Sequence, residues 1–238
     1  MSLRLYVRGP RLLYRTGPRA APQIVPVSDA AWSDIPPAVG QPLAAVERAL
    51  AAIGFGAPTR GASMQANVSS CFSLLEHRDG RALASAAVLL TTSGRQLTTV
   101  VFQSELADGT RVTTSNSAAK RRFPRRAGED SISFPEVRDA AALHAVHALR
   151  VRTLSSGAPP RPVTRGPDPI ADHRRETDEF HARMVAAGYY RPAGEGRHVL
   201  TRRGAAFATW RGLFPWAHLT DWREERRRQQ WRRVAGAA

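Results

Sequence analysis

The apolar residues that follow position 42 recur at the spacing of an α-helix. They are Leu43, Val46, Leu50 and Ile53. Residues three, seven and ten positions after the first share one face of a helix, so this pattern predicts an amphipathic helix. Gly54 follows, and glycine commonly ends a helix because it adopts the left-handed conformation without strain.

Four strand-like segments come next, each rich in Val, Thr, Phe or Leu. They cover residues 67–77, 81–92, 96–106 and 110–117. Asp-Gly or Ser-Gly pairs separate them, and such pairs tolerate the positive φ that tight hairpin turns require. The regular spacing of these turns predicts four antiparallel strands in a meander, one face of which is covered by helices.

A second helix and a C-terminal extension complete the predicted architecture. Ser133 and Glu136 have the spacing of a capping box, and the helix they introduce runs to about Val151. Beyond a Pro/Gly-rich linker, residues 170–187 show helical spacing and residues 189–201 form a short hairpin pattern. We therefore predict an α+β fold: a four-stranded antiparallel meander flanked by two helices, with a C-terminal helix-hairpin-helix extension.

The same patterns divide the chain into four segments. We predict an extended Pro/Arg-rich arm over residues 1–40, an α-β4-α core domain over 41–154, a linker over 155–169 and a basic extension over 170–238. Proline and glycine density sets the arm and the linker apart from the two segments with regular periodicity.

The charge of the chain is strongly unbalanced. The 35 Lys and Arg residues outnumber the 20 Asp and Glu residues, giving a formal net charge of +15, and Lys120 is the only lysine. Clustered arginines are attracted to phosphate and to acidic lipid headgroups. We predict a noncatalytic binding or scaffolding protein that engages an acidic protein or an anionic membrane surface. The alternative is a nucleic-acid-binding regulator, and a basic surface without any partner stays open.

Two resemblances bear on these classes. Residues 180–206, which include "GYYRPAGEGRHVLTRRG", resemble the wing end of winged-helix regulators, which implies duplex DNA binding. Carboxylates such as Asp172 and Glu176 on the preceding helix would repel phosphate. The segments "DGTRVTTSNS", "LHAVH" and "LTRRGAAFATWRGLFPW" together resemble an uncharacterised bacterial protein family of GC-rich lineages, a resemblance that implies no activity.

Candidate catalytic chemistry is sparse. His144 and His147 are three positions apart on the second helix and are weak candidates for metal ligands, because no further ligand accompanies them in sequence. The chain lacks a Walker A loop, a dinucleotide-binding glycine motif and a nucleophile elbow. We therefore expect no cofactor and no metal, and an enzyme is the less favoured interpretation.

The number of cysteines and the lengths of the apolar segments indicate the cellular compartment of the protein. Cys71 is the single cysteine, so no disulfide forms within the chain, as is usual in a reducing compartment. The longest strongly apolar segment, residues 82–90, is shorter than the roughly 20 residues that span a bilayer. We expect a cytoplasmic protein without a transmembrane segment, either soluble or peripheral to a membrane.

Two basic segments are the predicted binding sites. The first is an anion- or partner-binding loop of Thr114, Asn116, Lys120, Arg121, Arg122, Arg125 and Arg126. The second is the C-terminal tail with Arg223, Arg226, Arg227, Arg228, Trp231, Arg232 and Arg233. Arginine beside tryptophan suits a membrane interface and stacked bases alike. Trp210 and Trp216 are expected to be buried against the core.

Overall fold

A computed structural model describes residues 14, 23–65, 68–91, 94, 96–119, 123–163, 166, 168–194, 197–213 and 215–236. The strands in this part of the chain are β1 (Gln23–Pro26), β2 (Thr59–Gln65), β3 (Val68–Glu76), β4 (Leu83–Thr91), β5 (Gln96–Glu105), β6 (Arg111–Ser115), β7 (Glu129–Ser133), β8 (Tyr190–Pro192) and β9 (His198–Leu200). The helices are α1 (Asp29–Ser33), α2 (Pro37–Ala52), α3 (Ala140–Leu154), α4 (Pro169–Ala186), α5 (Arg202–Arg211) and α6 (Trp216–Gly236). None of these helices has the length and apolar character needed to cross a membrane.

The main sheet has seven strands in the order β1 to β7, and β8 pairs with β9 in a separate hairpin. Neighbouring strands of the main sheet are antiparallel except β6 and β7, which run parallel. The predicted fold, a four-stranded meander flanked by two helices, is therefore wrong. Strands β1, β2 and β7 extend the sheet on both sides, and six helices are present in the described ranges.

The missed strands carry little local signal. The sequences of β2 ("TRGASMQ") and β7 ("EDSIS") contain few of the β-branched and aromatic residues that favour strands. Ser133 ends β7 instead of capping a helix. Helix α3 begins seven residues later, where the Asp139 carboxylate accepts a hydrogen bond from the Ala142 N–H at 2.7 Å. Pairing with neighbouring strands, and not local residue preference, decides β2 and β7.

Helices α2 and α3 cover one face of the sheet, here called the inner face. Alternation along β5 points Val100 and Phe102 inward, where they are 1% and 0% exposed. Leu43 and Leu50 of α2 and Leu143 of α3 pack in the same cluster. Burial of this apolar surface is the main source of stability in the fold.

Helix α4 lies against the opposite, outer face and is held at its two ends. At its N-terminal end Ile170 packs against Ile24, Phe72 and Leu74 of the sheet. At its C-terminal end Met184 joins an aromatic cluster around Phe123, Tyr189 and Phe207. The predicted linker before α4 is also attached to the sheet, since the Arg161 N–H donates to the Glu105 carbonyl at 2.8 Å. The domain boundaries stay a prediction.

The contact between Phe72 and Ile170 leaves no room beside Gly61. A Cβ atom at this position would overlap the Phe72 ring and lie 3.0 Å from Ile170 Cδ1. We expect Gly61→Ala to lower the free energy of unfolding by about 1–3 kcal/mol, because the ring and α4 must move. Chemical denaturation monitored by circular dichroism measures this change.

Gly40→Ala in α2 is the matched control. A Cβ atom there has its nearest neighbours at 3.9 Å, and alanine favours helix more than glycine. We expect this variant to be as stable as the wild type or more stable. Equal stabilities of Gly61→Ala and the wild type would contradict the packing described for α4.

Candidate functional site

The predicted anion-binding loop is only partly at the surface. Thr114 is fully buried, and Asn116 extends the sheet because its side-chain oxygen accepts a hydrogen bond from the Val100 N–H at 2.7 Å. Neither side chain is positioned to meet a large partner. The predicted residues Lys120, Arg121 and Arg122 lie outside the described residues. Of this set, Arg125 and Arg126 lie within the described ranges and are accessible to solvent.

Arg125 joins the loop to the tail. Its guanidinium group forms an ion pair with Glu224 of α6. The two basic segments that the sequence predicts separately are therefore neighbours on one side of the molecule. The guanidinium group of Arg126 lies 4.0 Å from the carboxylate of Glu179 on α4.

A directional chain of hydrogen bonds surrounds His147 on the inner face. Ser104 Oγ donates to the Arg81 carbonyl at 2.8 Å, so at its 3.1 Å contact with His147 Nε2 the imidazole N–H must be the donor. Thr114 Oγ1 accepts from Arg150 Nη1 at 2.5 Å, which leaves its hydroxyl hydrogen to bond His147 Nδ1 at 3.0 Å. Both ring nitrogens are therefore used by hydroxyls, and neither has a lone pair available for a metal.

The imidazole of His147 is held neutral. Burial, with a smaller contribution from the neighbouring positive charge of Arg150, lowers the pKa of His147 to about 3. His144 packs against the rings of Phe55, Phe102 and His77, and burial lowers its pKa as well. The two candidate ligand rings are 6.5 Å apart between centroids. The described part of the chain contains no group of three or more His, Cys, Asp or Glu residues that could hold a metal ion.

Asp130 on β7 binds two arginines from different helices. Arg150 of α3 is completely buried and pairs with the Asp130 carboxylate. Arg227 of α6 donates to both Asp130 carboxylate oxygens at 2.9 Å and to the Ser131 carbonyl at 3.1 Å. Burial lowers the pKa of Arg150 to about 10, so it remains charged at neutral pH. This cluster attaches α6 to the edge of the sheet.

Several side chains of the predicted tail site form contacts within the molecule that stabilise the fold. Trp231 is 8% exposed and packs in the main core, with Arg150 over its ring at 5.6 Å. Arg228 pairs with Glu225 at 2.9 Å. Arg232 pairs with Glu225 at 3.0 Å and also with Glu136. These side chains, like Arg227, are engaged within the molecule.

Three other tail arginines are not engaged in this way. Arg223, Arg226 and Arg233 are exposed and form no ion pair with any carboxylate in the described ranges. Their positions, three and seven apart, place them along one stripe of the helix. Arg226 stacks on Trp222 with its guanidinium carbon 4.0 Å from the ring centroid. This stripe also carries apolar side chains.

Large apolar side chains are exposed beside these arginines. Trp210 is 48% exposed on α5, and on α6 the exposed fractions are 58% for Trp216, 43% for Leu219 and 51% for Trp222. The predicted burial of Trp210 and Trp216 is wrong. Trp231 enters the core instead, and Trp222 lies nine positions before it, on the opposite side of an ideal helix. Exposed clusters of this kind commonly mark interaction surfaces.

A cleft separates the middle of α4 from the outer face of the sheet. It has two lobes of about 630 and 390 Å³, and both are lined by Gln103, Glu105, Arg111 and Glu176. The larger lobe continues to Phe123 and Phe180. Neither His144 nor His147 lines either lobe.

Comparisons of the chain with protein-family models, with curated proteins and with solved structures found no significant match. The function is therefore inferred from the two surface features described above. One is the outward stripe of α6, and the other is the cleft beneath α4.

The neutral state of buried His147 makes the stability depend on pH. The native pKa of about 3 lies below the ordinary value of 6.5, so between these values the unfolded chain binds a proton that the native state does not. The contribution of His147 to the free energy of unfolding is fully present above pH 6.5, the pKa in the unfolded chain, and is lost as the pH falls below that value. We expect the free energy of unfolding to fall by about 1.4 kcal/mol per pH unit on this account.

The measurement compares wild type with His147→Gln from about pH 6 to pH 4, a range inside this window. Glutamine keeps a donor and an acceptor but has no proton to gain. Carboxylates titrate equally in both proteins, so the difference between the two slopes isolates His147. Parallel curves for the two proteins would show that the imidazole is not held neutral.

Proposed function

We propose that this protein binds peripherally to an anionic membrane surface through the outward stripe of α6. The stripe is defined by Trp216, Leu219, Trp222, Arg223 and Arg226, with Arg233 further along the helix. The observation that carries the proposal is the coincidence, on one side of one helix, of exposed tryptophan, exposed leucine and arginines that form no ion pair within the described ranges. Interfacial helices have this composition.

The apolar and basic residues occupy successive parts of the stripe. Trp216, Leu219 and Trp222 lie in the first two turns, where their side chains can enter the boundary between headgroups and acyl chains. Arg223, Arg226 and Arg233 follow, and each arginine near an anionic surface contributes about 1 kcal/mol. Because either contribution alone is weak, the proposal depends on both acting together.

A lipid surface suits the stripe better than nucleic acid does. An exposed leucine gains from an acyl environment but has no ring on which a base can stack. The Trp222 ring already carries Arg226 on one face, which leaves less of it for stacking. In α4, where a DNA-reading helix would be needed, Glu176 pairs with Arg111 of the sheet at 3.2 Å. These contacts support the membrane proposal over a winged-helix regulator.

Removing an apolar side chain from the stripe tests the apolar contribution. We expect Leu219→Ser to weaken binding to vesicles of equal parts phosphatidylcholine and phosphatidylglycerol by about tenfold, as loss of a partly buried leucine implies. Leu97→Ser is the matched control, because Leu97 is 39% exposed on β5, away from α6. Flotation of protein with vesicles measures both affinities, and the control should bind like wild type.

Removing charge tests the electrostatic contribution. We expect Arg223→Gln with Arg226→Gln to weaken binding by about 30-fold, which corresponds to about 1 kcal/mol per arginine. Arg48→Gln with Arg78→Gln removes the same charge from exposed positions on α2 and in the turn between β3 and β4, and serves as the control. Added salt should weaken the wild type more than the Arg223 and Arg226 variant.

Three results would overturn the proposal. They are equal binding to vesicles of phosphatidylcholine alone, equal losses in the control and stripe variants, and no binding at low salt. Single-stranded and duplex DNA are tested in parallel by mobility shift. Tighter binding to either of them, lost in the same stripe variants, would assign the surface to nucleic acid.

A further inference from the structure

The cleft beneath α4 has the form of a covered channel. Helix α4 is fixed by Ile170 at one end and Met184 at the other, and its middle stands away from the sheet. Arg111 on the floor pairs with Glu176 on the roof at 3.2 Å. This ion pair lines both lobes and therefore lies at the boundary between them. The larger lobe, at about 630 Å³, is in the usual size range of small-molecule sites.

The sheet beneath the larger lobe has two rows of side chains across strands β5, β6 and β7, and all of their members except Ser131 line the lobe. Strand register aligns Gln103, Thr113 and Ser131 in an uncharged row. The next row aligns Glu105, Arg111 and Glu129, two positions along each strand and therefore on the same face. The sheet thus presents a neutral, hydrogen-bonding row beside a charged one.

Two members of the uncharged row have unused hydrogen-bonding capacity within the described ranges. The side chains of Gln103 and Thr113 form no hydrogen bond with any residue in the described ranges, although both line the lobe. A carboxamide offers two donors and an acceptor, and a hydroxyl offers one donor and two acceptors. Proteins usually satisfy such groups at low exposure. The floor therefore matches a ligand that has both amide N–H and carbonyl groups.

The walls of the lobe contain charges of both signs and an aromatic end. Its lining has four carboxylates, Glu105, Glu129, Glu176 and Glu179, and three guanidinium groups, Arg111, Arg126 and Arg183. Arg183 stacks on Phe180 at 5.9 Å and pairs with no carboxylate in the described ranges. Phe180, Phe123 and Pro124 provide an apolar wall. A ligand with one charge sign would meet groups of its own sign here.

We propose that the larger lobe binds a short peptide with a free amino terminus, a free carboxyl terminus and an aromatic side chain. The peptide amide bonds to Gln103 and Thr113, the ammonium group faces the carboxylates, and the peptide carboxylate faces Arg183. The aromatic side chain packs against Phe123 and Phe180. This site is separate from the stripe of α6, and the proposal does not depend on membrane binding.

Three forms of one dipeptide test the requirement for both charges. The probe is Ala-Phe, compared with its N-acetylated form and its C-terminal amide by isothermal titration of the full chain. We expect Ala-Phe to bind at a single site and each blocked form to bind at least about tenfold more weakly, because a charged contact of about 1.4 kcal/mol is lost. Absence of saturable Ala-Phe binding, or equal affinities of the three forms, would overturn the proposal.

Substitution on the floor tests the location. We expect Gln103→Leu to reduce Ala-Phe affinity by about tenfold, since the unpaired amide groups of the ligand would then be desolvated without a partner. Gln96→Leu is the matched control: Gln96 is exposed on the same strand and lies outside both lobes. Thermal unfolding verifies that each variant is folded. Wild-type affinity in Gln103→Leu, or an equal loss in Gln96→Leu, would remove the floor from the site.

Discussion

The placement of helix α6 depends on one carboxylate. Asp130 lies on β7, an edge strand of the sheet, and pairs with Arg150 of α3 and Arg227 of α6. A fully buried guanidinium group such as that of Arg150 requires a compensating charge, because an unpaired buried ion is strongly destabilising. The same carboxylate then fixes which side of α6 faces the sheet. Trp231, one turn after Arg227, completes this contact within the core.

The outward stripe of α6 is a consequence of this attachment. Arg227 and Trp231 point inward, so Trp222, nine positions before Trp231 and on the opposite side of the helix, points to solvent. The loop that carries Arg125 reinforces the orientation through Glu224. Neighbouring residues of that loop line the cleft beneath α4, so the two proposed surfaces share one connecting segment.

The two faces of the sheet use polar groups differently. On the inner face the hydroxyls of Thr114 and Ser104 and both ring nitrogens of His147 have defined donor or acceptor roles, which makes their burial possible. On the outer face Gln103 and Thr113 border a cleft and are not closed into such a chain. Buried polar groups without partners are costly, so a polar floor of this kind is stable where water or a ligand reaches it.

Local patterns in the sequence determined helix α2, the turn glycines and the overall charge. Gly80 and Gly109 have the positive φ values of 68° and 83° that their Asp-Gly pairs require, since turn geometry depends on neighbouring residues alone. Strand β7, the neutral state of His147 and the division of the tail arginines into inward and outward sets were decided only by the tertiary structure. The inward direction of Arg227 depends on Asp130, and the neutral state of His147 depends on a site that includes Ser104; both partners are distant in sequence. Periodicity shows which residues share a face of a helix, but which face turns inward is set by contacts that form only when the chain has folded.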